Sequence, residues 1–340
     1  MIRRIAWSLL ALTALLGMIY VAGPVYELDT RTRATPVPQD SASLERWLAT
    51  SEAQLGDVTP GAEKTIRWAH PDRRRTPLAL VYLHGYSATR QEVDPLCDEL
   101  ATALGANVYY TRLAGHGRNP STMGDVNGND WLQDSRDALA IGKAIGERVV
   151  VIGTSTGGTL ALWLALQQES QAIAAQVLIS PNLGPRERSA ELLAGPWGAQ
   201  LLRALIGDEY RWRPANELHA RYWTWRYPSR ALLPMMAVVR EVRDAPLANI
   251  RIPTLVIYSP ADRVVDPQQI LNAHGRLGAA IKPLVAIENS ADPSSHVLAG
   301  RILAPQDTAR VRQAILNFFE DLQLSTKLSL STQVAPADTP

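Results

Sequence analysis

Arg148-Val149-Val150-Val151-Ile152-Gly153-Thr154-Ser155-Thr156-Gly157-Gly158-Thr159 is the stretch on which the fold turns. Its run of β-branched residues predicts a strand buried on both faces, and the apolar residues behind Thr159 predict a helix. Between them, Gly153-x-Ser155-x-Gly157 predicts a turn so tight that only small residues fit two positions either side of the serine. Strand, turn and helix in that order raise Ser155 above the carboxyl edge of a sheet, near the positive end of the following helix. The plainer alternative is a strand-to-helix turn in which Ser155 only caps the helix.

Outward from this stretch the pattern is rhythmic. Short apolar runs at residues 78–83, 108–111, 177–179, 254–258 and 284–287 predict further buried parallel strands, and 63–69 alternates like a half-buried one. Helix-length segments lie at 92–104, 130–145, 156–168 and 307–322. Strand alternating with helix predicts an α/β fold with a doubly wound, mostly parallel sheet. Residues 183–249 break the rhythm with helical segments and many aromatics but no clear strand, which predicts a helical cap inserted into the core. The expected division is therefore an N-terminal segment 1–24, a linker and short helix 25–62, core residues 63–182, cap 183–249, core residues 250–324, and a tail 325–340 without periodicity.

Composition narrows the function. The chain has 340 residues, 46% of them apolar, and a formal charge of +1 from 34 basic and 33 acidic side chains. That suits a globular domain and gives no pull toward nucleic acid. The single cysteine, Cys97, fits a buried helix position and forms no internal bridge. No H-E-x-x-H, cysteine cluster or Walker loop occurs, so neither metal nor nucleotide cofactor is expected. Arg3 and Arg4 precede 19 uncharged residues, Ile5 to Gly23, long enough to span a bilayer. A retained anchor with a cytoplasmic N-terminus would put the rest of the chain on the extracytoplasmic side. The alternatives are a cleaved secretory signal, which would release the protein, and a buried core helix.

A serine hydroxyl at its normal pKa is a weak nucleophile and needs an imidazole to take its proton and a carboxylate to orient that imidazole. For this turn the expected chain order is serine, acid, histidine. Asp262 follows the strand 254–258 at the edge where Ser155 emerges; Asp266 is its rival. His296 follows the last core strand through a polar loop, whereas His70 precedes the core pattern, His219 lies inside the cap and His274 falls in a helical segment away from any strand end. An oxyanion needs two fixed donors. The first candidate is the N–H of Thr156. The second is that of Tyr86, in Leu83-His84-Gly85-Tyr86 after an early strand, with His84 bonding inside the loop. Gly115-His116-Gly117 is expected to shape the site wall.

Together these segments resemble the α/β-hydrolase superfamily, particularly its carboxylesterase and monoacylglycerol-lipase-like members, over roughly residues 78–322. The resemblance rests on His84-Gly85-Tyr86, Arg112-Leu113-Ala114-Gly115-His116-Gly117, Trp131, Gly153 to Gly158, Asp262 and His296-Val297-Leu298. It implies an α/β-hydrolase fold, a triad of Ser155, Asp262 and His296, an oxyanion N–H from Tyr86, and a small-molecule or lipid acyl ester as substrate. One departure is the long loop 290–295 before His296. Trp197, Tyr210, Trp223 and Tyr227 in the cap could build an apolar acyl pocket or simply pack. The same triad would serve a thioesterase or amidase, and a non-catalytic membrane-surface binding protein could keep the scaffold. Nothing in the sequence identifies a protein partner.

Overall fold

The β-branched runs pair into one central sheet. The computed structural model of the chain describes residues 2–324, so the expected tail lies outside the described residues. Its strands in chain order are β1 (Thr65–Arg67), β2 (Thr76–Leu83), β3 (Asn107–Tyr110), β4 (Gly146–Thr154), β5 (Ile173–Ile179), β6 (Glu209–Arg211), β7 (Arg226–Pro228), β8 (Thr254–Tyr258) and β9 (Leu284–Ala286). Seven form a sheet in the order β1-β3-β2-β4-β5-β8-β9, parallel except for β1 at the edge. The chain leaves β2 for β3 on one side and returns to β4 on the other. The switch point where such sheets build their sites is therefore at the carboxyl ends of β2 and β4.

The helices are α1 (Ile2–Val21), α2 (Ser41–Ala53), α3 (Leu96–Leu104), α4 (Gly128–Ile145), α5 (Thr156–Ala165), α6 (Gly198–Leu205), α7 (Glu217–Tyr222), α8 (Leu232–Asp244), α9 (Pro267–Arg276) and α10 (Thr308–Asp321). The two-residue period of β2 feeds two separate layers. Ala79, Val81 and Leu83 pack with Leu132, Ile141 and Leu160 of α4 and α5. Leu78, Leu80 and Tyr82 pack with Leu100, Ile315 and Phe319 of α3 and α10. Both faces are dry, which is why these strands read as continuous apolar runs. Cys97 is buried in the second layer, and burial pushes its thiol pKa up.

Three expectations need correction. Between β5 and β8 the chain is not purely helical, because β6 and β7 form an antiparallel ribbon in which Glu209 pairs with both Arg211 and Arg226. The helix expected from residue 92 begins at Leu96; Arg90–Glu92 forms a separate 3₁₀ turn, since Pro95 disfavours helical backbone before it. Residues 29–40, within the stretch 25–62 expected to begin as a linker, lie along the domain. Gln133 grips both the N–H and the carbonyl of Arg33 at 2.8 Å, Asn129 takes the carbonyl of Asp29, and Leu28 and Val37 pack on the core.

Helix α1 is long and apolar enough to cross a membrane, with a mean hydropathy of 1.7 over Arg4–Val21, and none of that window is buried. Its last turn and exit meet residues before α6: Trp197 donates through Nε1 to the Ile19 carbonyl at 3.0 Å and through its backbone to Pro24 at 2.8 Å.

Candidate active site

The turn after β4 is built as its glycines require. Ser155 sits at φ 52° and ψ −118°, a conformation costing an L-residue about 1–3 kcal/mol. Surrounding backbone holds it there: a Cβ on Gly153 would stand 2.4 Å from the Gly157 carbonyl oxygen, and one on Gly157 would stand 1.9 Å from that of Leu83. Ser155 stands at the N-cap of α5, but its side chain makes no capping bond. Thr156 opens α5, so its N–H has no carbonyl one turn behind it within the helix.

The structure brings three of the expected residues together. His296 Nε2 lies 3.0 Å from Ser155 Oγ, and His296 Nδ1 lies 2.8 Å from Asp262 Oδ2. Asp262 is held by the N–H groups of Val264 and Val265 on its other oxygen, at 2.8 and 3.0 Å. Asp266 instead caps α9 through the Gln268 N–H at 3.0 Å. Burial alone would lower the His296 pKa; the Asp262 carboxylate outweighs it, with Asp292 and Glu92 adding, and the pKa is raised.

The polar loop before His296 carries its own anchor, which sequence reasoning missed. Asp292 Oδ2 accepts from the N–H groups of His296 and Val297 at 2.8 and 2.9 Å, and from the Ser294 hydroxyl at 2.5 Å. Buried at 3% exposure, it folds the loop around one carboxylate and fixes the ring's approach. In sequence it reads as an ordinary turn aspartate before proline.

On the opposite wall, His84 is buried and bonds inside its loop as expected. Leu113 donates its N–H to His84 Nε2 at 2.9 Å, so Nδ1 carries the proton and donates to the Gly85 carbonyl at 2.9 Å. The Tyr86 ring meets His116, Trp131 and Tyr227 edge-on at 5.6, 5.7 and 5.6 Å between centroids. His116 thus forms part of the wall, and Trp131 pins its loop by donating to the Ala114 carbonyl at 3.0 Å. Another acid that sequence reasoning missed, Glu92, is 2% exposed and accepts the Gly85 N–H at 2.5 Å and the Tyr82 hydroxyl at 2.7 Å. Burial pushes its pKa up to about 7.

The fold and the family are shared with known proteins. Residues 75–291 match the family described as "Hydrolase_4: Serine aminopeptidase, S33". The chain belongs to this hydrolase family. The hydrolase is 27% identical over 216 residues to the thermostable monoacylglycerol lipase of Bacillus sp. (strain H-257), covering 63% of this chain and 82% of that one. It is 36% identical over 113 residues to the ethyl acetate hydrolase of Pseudomonas putida, covering 30% of this chain and 35% of that one. Among solved structures, one from work on the metagenome-derived lipolytic enzymes LipS and LipT superposes with a TM-score of 0.64 at 22% identity. That match covers 78% of this hydrolase and 99% of the other chain, and it establishes the α/β-hydrolase fold.

The cap aromatics divide between packing and surface. Trp223 and Tyr227 are 7% and 3% exposed and hold clusters together, as the packing alternative expects. A cavity of about 710 Å³ opens between β7 and the Gly117–Ser121 segment, lined by these two residues as well as Tyr222, Trp225, Arg118 and Arg226. None of Ser155, Asp262 and His296 lines it.

Proposed function

We propose that the chain is a membrane-tethered serine esterase that hydrolyses a lipid-type carboxylic ester through Ser155, His296 and Asp262. The observation that carries the reading is the continuous line from Asp262 Oδ2 through both ring nitrogens of His296 to Ser155 Oγ, at 2.8 and 3.0 Å. Neutral His296 takes the Ser155 proton as Oγ attacks the acyl carbon, and Asp262 stabilises the imidazolium that forms. The N–H groups of Thr156 and Tyr86 receive the oxyanion. His296 then returns the proton to the leaving alkoxide, and a water activated by the same ring releases the acyl group from Ser155. The sequence of steps calls for no cofactor.

The ester preference draws support from the lipase and ester-hydrolase relatives. The lipid preference draws further support from α1, whose exposed apolar length suits an anchor that keeps the domain at the extracytoplasmic face of a membrane. Turnover of short- and medium-chain p-nitrophenyl esters by the wild type, abolished in Ser155→Ala, is the expected result; equal rates in both proteins would defeat the reading. A reporter fused after Asp40 should be active only outside the cytoplasm, and a silent one would overturn the placement. The family's aminopeptidase description favours an amide substrate as the second reading. Rates on a matched p-nitrophenyl ester and p-nitroanilide separate the two.

A further inference from the structure

The loop that offers the Tyr86 N–H is gripped at two successive peptide planes. The second plane joins Gly85 to Tyr86, and its carbonyl accepts from His84 Nδ1 at 2.9 Å and from the Ala88 N–H at 3.2 Å. In a trans peptide the N–H points opposite the carbonyl, so this clamp directs the Tyr86 N–H away from His84 and Ala88. The first plane joins His84 to Gly85, and its N–H goes to Glu92 Oε1 at 2.5 Å. The other carboxyl oxygen would lie 3.0 Å from a Cβ on Gly85, which in turn would lie 3.2 Å from the Ser155 Cβ, so Glu92 and the serine both crowd the side of Gly85 that a side chain would occupy.

Glu92 is itself fixed from the strand that carries the nucleophile. Its partner Tyr82 Oη also reaches Thr154 Oγ1 at 3.0 Å, one residue before Ser155. The main chain of Glu92 sits tightly under Gly300, in the segment that follows His296: a Cβ there would stand 2.2 Å from the Glu92 carbonyl oxygen. The groups that act on its carboxyl are Tyr82, the Gly85 N–H and the His296 ring, and none of them is a lysine or arginine. A carboxyl buried without a cationic partner is costly to keep, and its hydrogen bonds here all serve the site.

We propose that Glu92 is a positioning residue of the oxyanion hole, which by binding the Gly85 N–H holds the adjoining Tyr86 N–H toward the acyl oxygen. The inference rests on Ser155 being the nucleophile. Its test uses the full chain and begins by labelling the wild type with a fluorophosphonate; an unlabelled Ser155 would overturn the nucleophile and this inference with it. With Ser155 labelled, kcat and KM for p-nitrophenyl butyrate and the affinity of a trifluoromethyl ketone, which forms an oxyanion adduct, are measured for Glu92→Ala and Glu92→Gln. Glu92→Ala should lower kcat and ketone affinity together, each by about 10²-fold, with KM changed by less than about threefold. Glu92→Gln retains an acceptor oxygen for Gly85 and should recover most of the loss. If the alanine protein does not fold, Glu92→Met, which fills the volume without a strong acceptor, carries the same expectation. Wild-type kcat and ketone affinity in a folded Ala or Met variant, or a glutamine variant as impaired as these, would overturn the role of Glu92 while leaving Ser155 in place.

Discussion

Gly157→Ala tests whether the nucleophile turn and the oxyanion loop are one mechanical unit. A Cβ at Gly157 would stand 1.9 Å from the Leu83 carbonyl oxygen and 2.8 Å from that of His84, where ordinary contact begins near 3.4 Å. Both obstacles are backbone, and both belong to the end of β2 that leads into Tyr86. Relief requires α5 and the end of β2 to part by about 1.5 Å, the difference between those contacts. Overpacking of this kind costs about 1–3 kcal/mol. In a chain of this size that is a fall in Tm of roughly 1–5 °C. The same displacement separates Ser155 from the Tyr86 N–H, and a 1 Å misplacement costs about 10²-fold in rate. Differential scanning fluorimetry and p-nitrophenyl butyrate kinetics read the two effects. Gly275→Ala is the control: it has nothing within 4 Å, lies in α9, and should gain about 0.5–1 kcal/mol with activity unchanged. A Gly157→Ala protein with wild-type Tm and kcat would refute the coupling.

Four further outcomes follow from the geometry. Catalysis needs neutral His296, whose pKa is raised, so kcat/KM should fall as pH drops through a value above the ordinary histidine range; Asp262→Asn should move that limb to lower pH and cut kcat by about 10⁴-fold. The same raised pKa stabilises the fold below the unfolded histidine value and is lost as pH rises through the folded one, so Tm against pH should flatten on that side in Asp262→Asn. Asp266→Ala should cost about 0.5–2 kcal/mol as a lost helix cap, read from urea midpoints, with kcat unchanged. Arg112 and Glu52 are 5% and 8% exposed and joined by two hydrogen bonds of 2.7 and 2.9 Å, so Arg112→Met alone should cost about 3–5 kcal/mol by urea unfolding. Adding Glu52→Met should recover most of it.

What the sequence disclosed depended on how local each signal was. The turn around Ser155 is legible because its steric demand is met by Gly153 and Gly157 within five residues, between a β-branched run and an apolar helix. Asp262 and His296 are legible because strand ends deliver them to the same edge. Glu92 was not, since an acid between Gln91 and Val93 looks like a solvated helix start until the chain folds it under Gly85. Asp292 hides for a similar reason: its partners are backbone N–H groups, which leave no mark on composition. The three-residue strands β6 and β7 are too short to show a period, and only their pairing across the cap defines them. The docking of residues 29–40 depends on Gln133 and Asn129, about 100 positions away in the chain.

The proposed mechanism depends on the reactivity of a single oxygen, Ser155 Oγ. Reaction of the full-length protein with a fluorophosphonate, followed by peptide mass spectrometry, should find the adduct on Ser155 and a strongly slowed reaction in His296→Ala. An adduct on another residue, or a rate indifferent to the loss of His296, would contradict it.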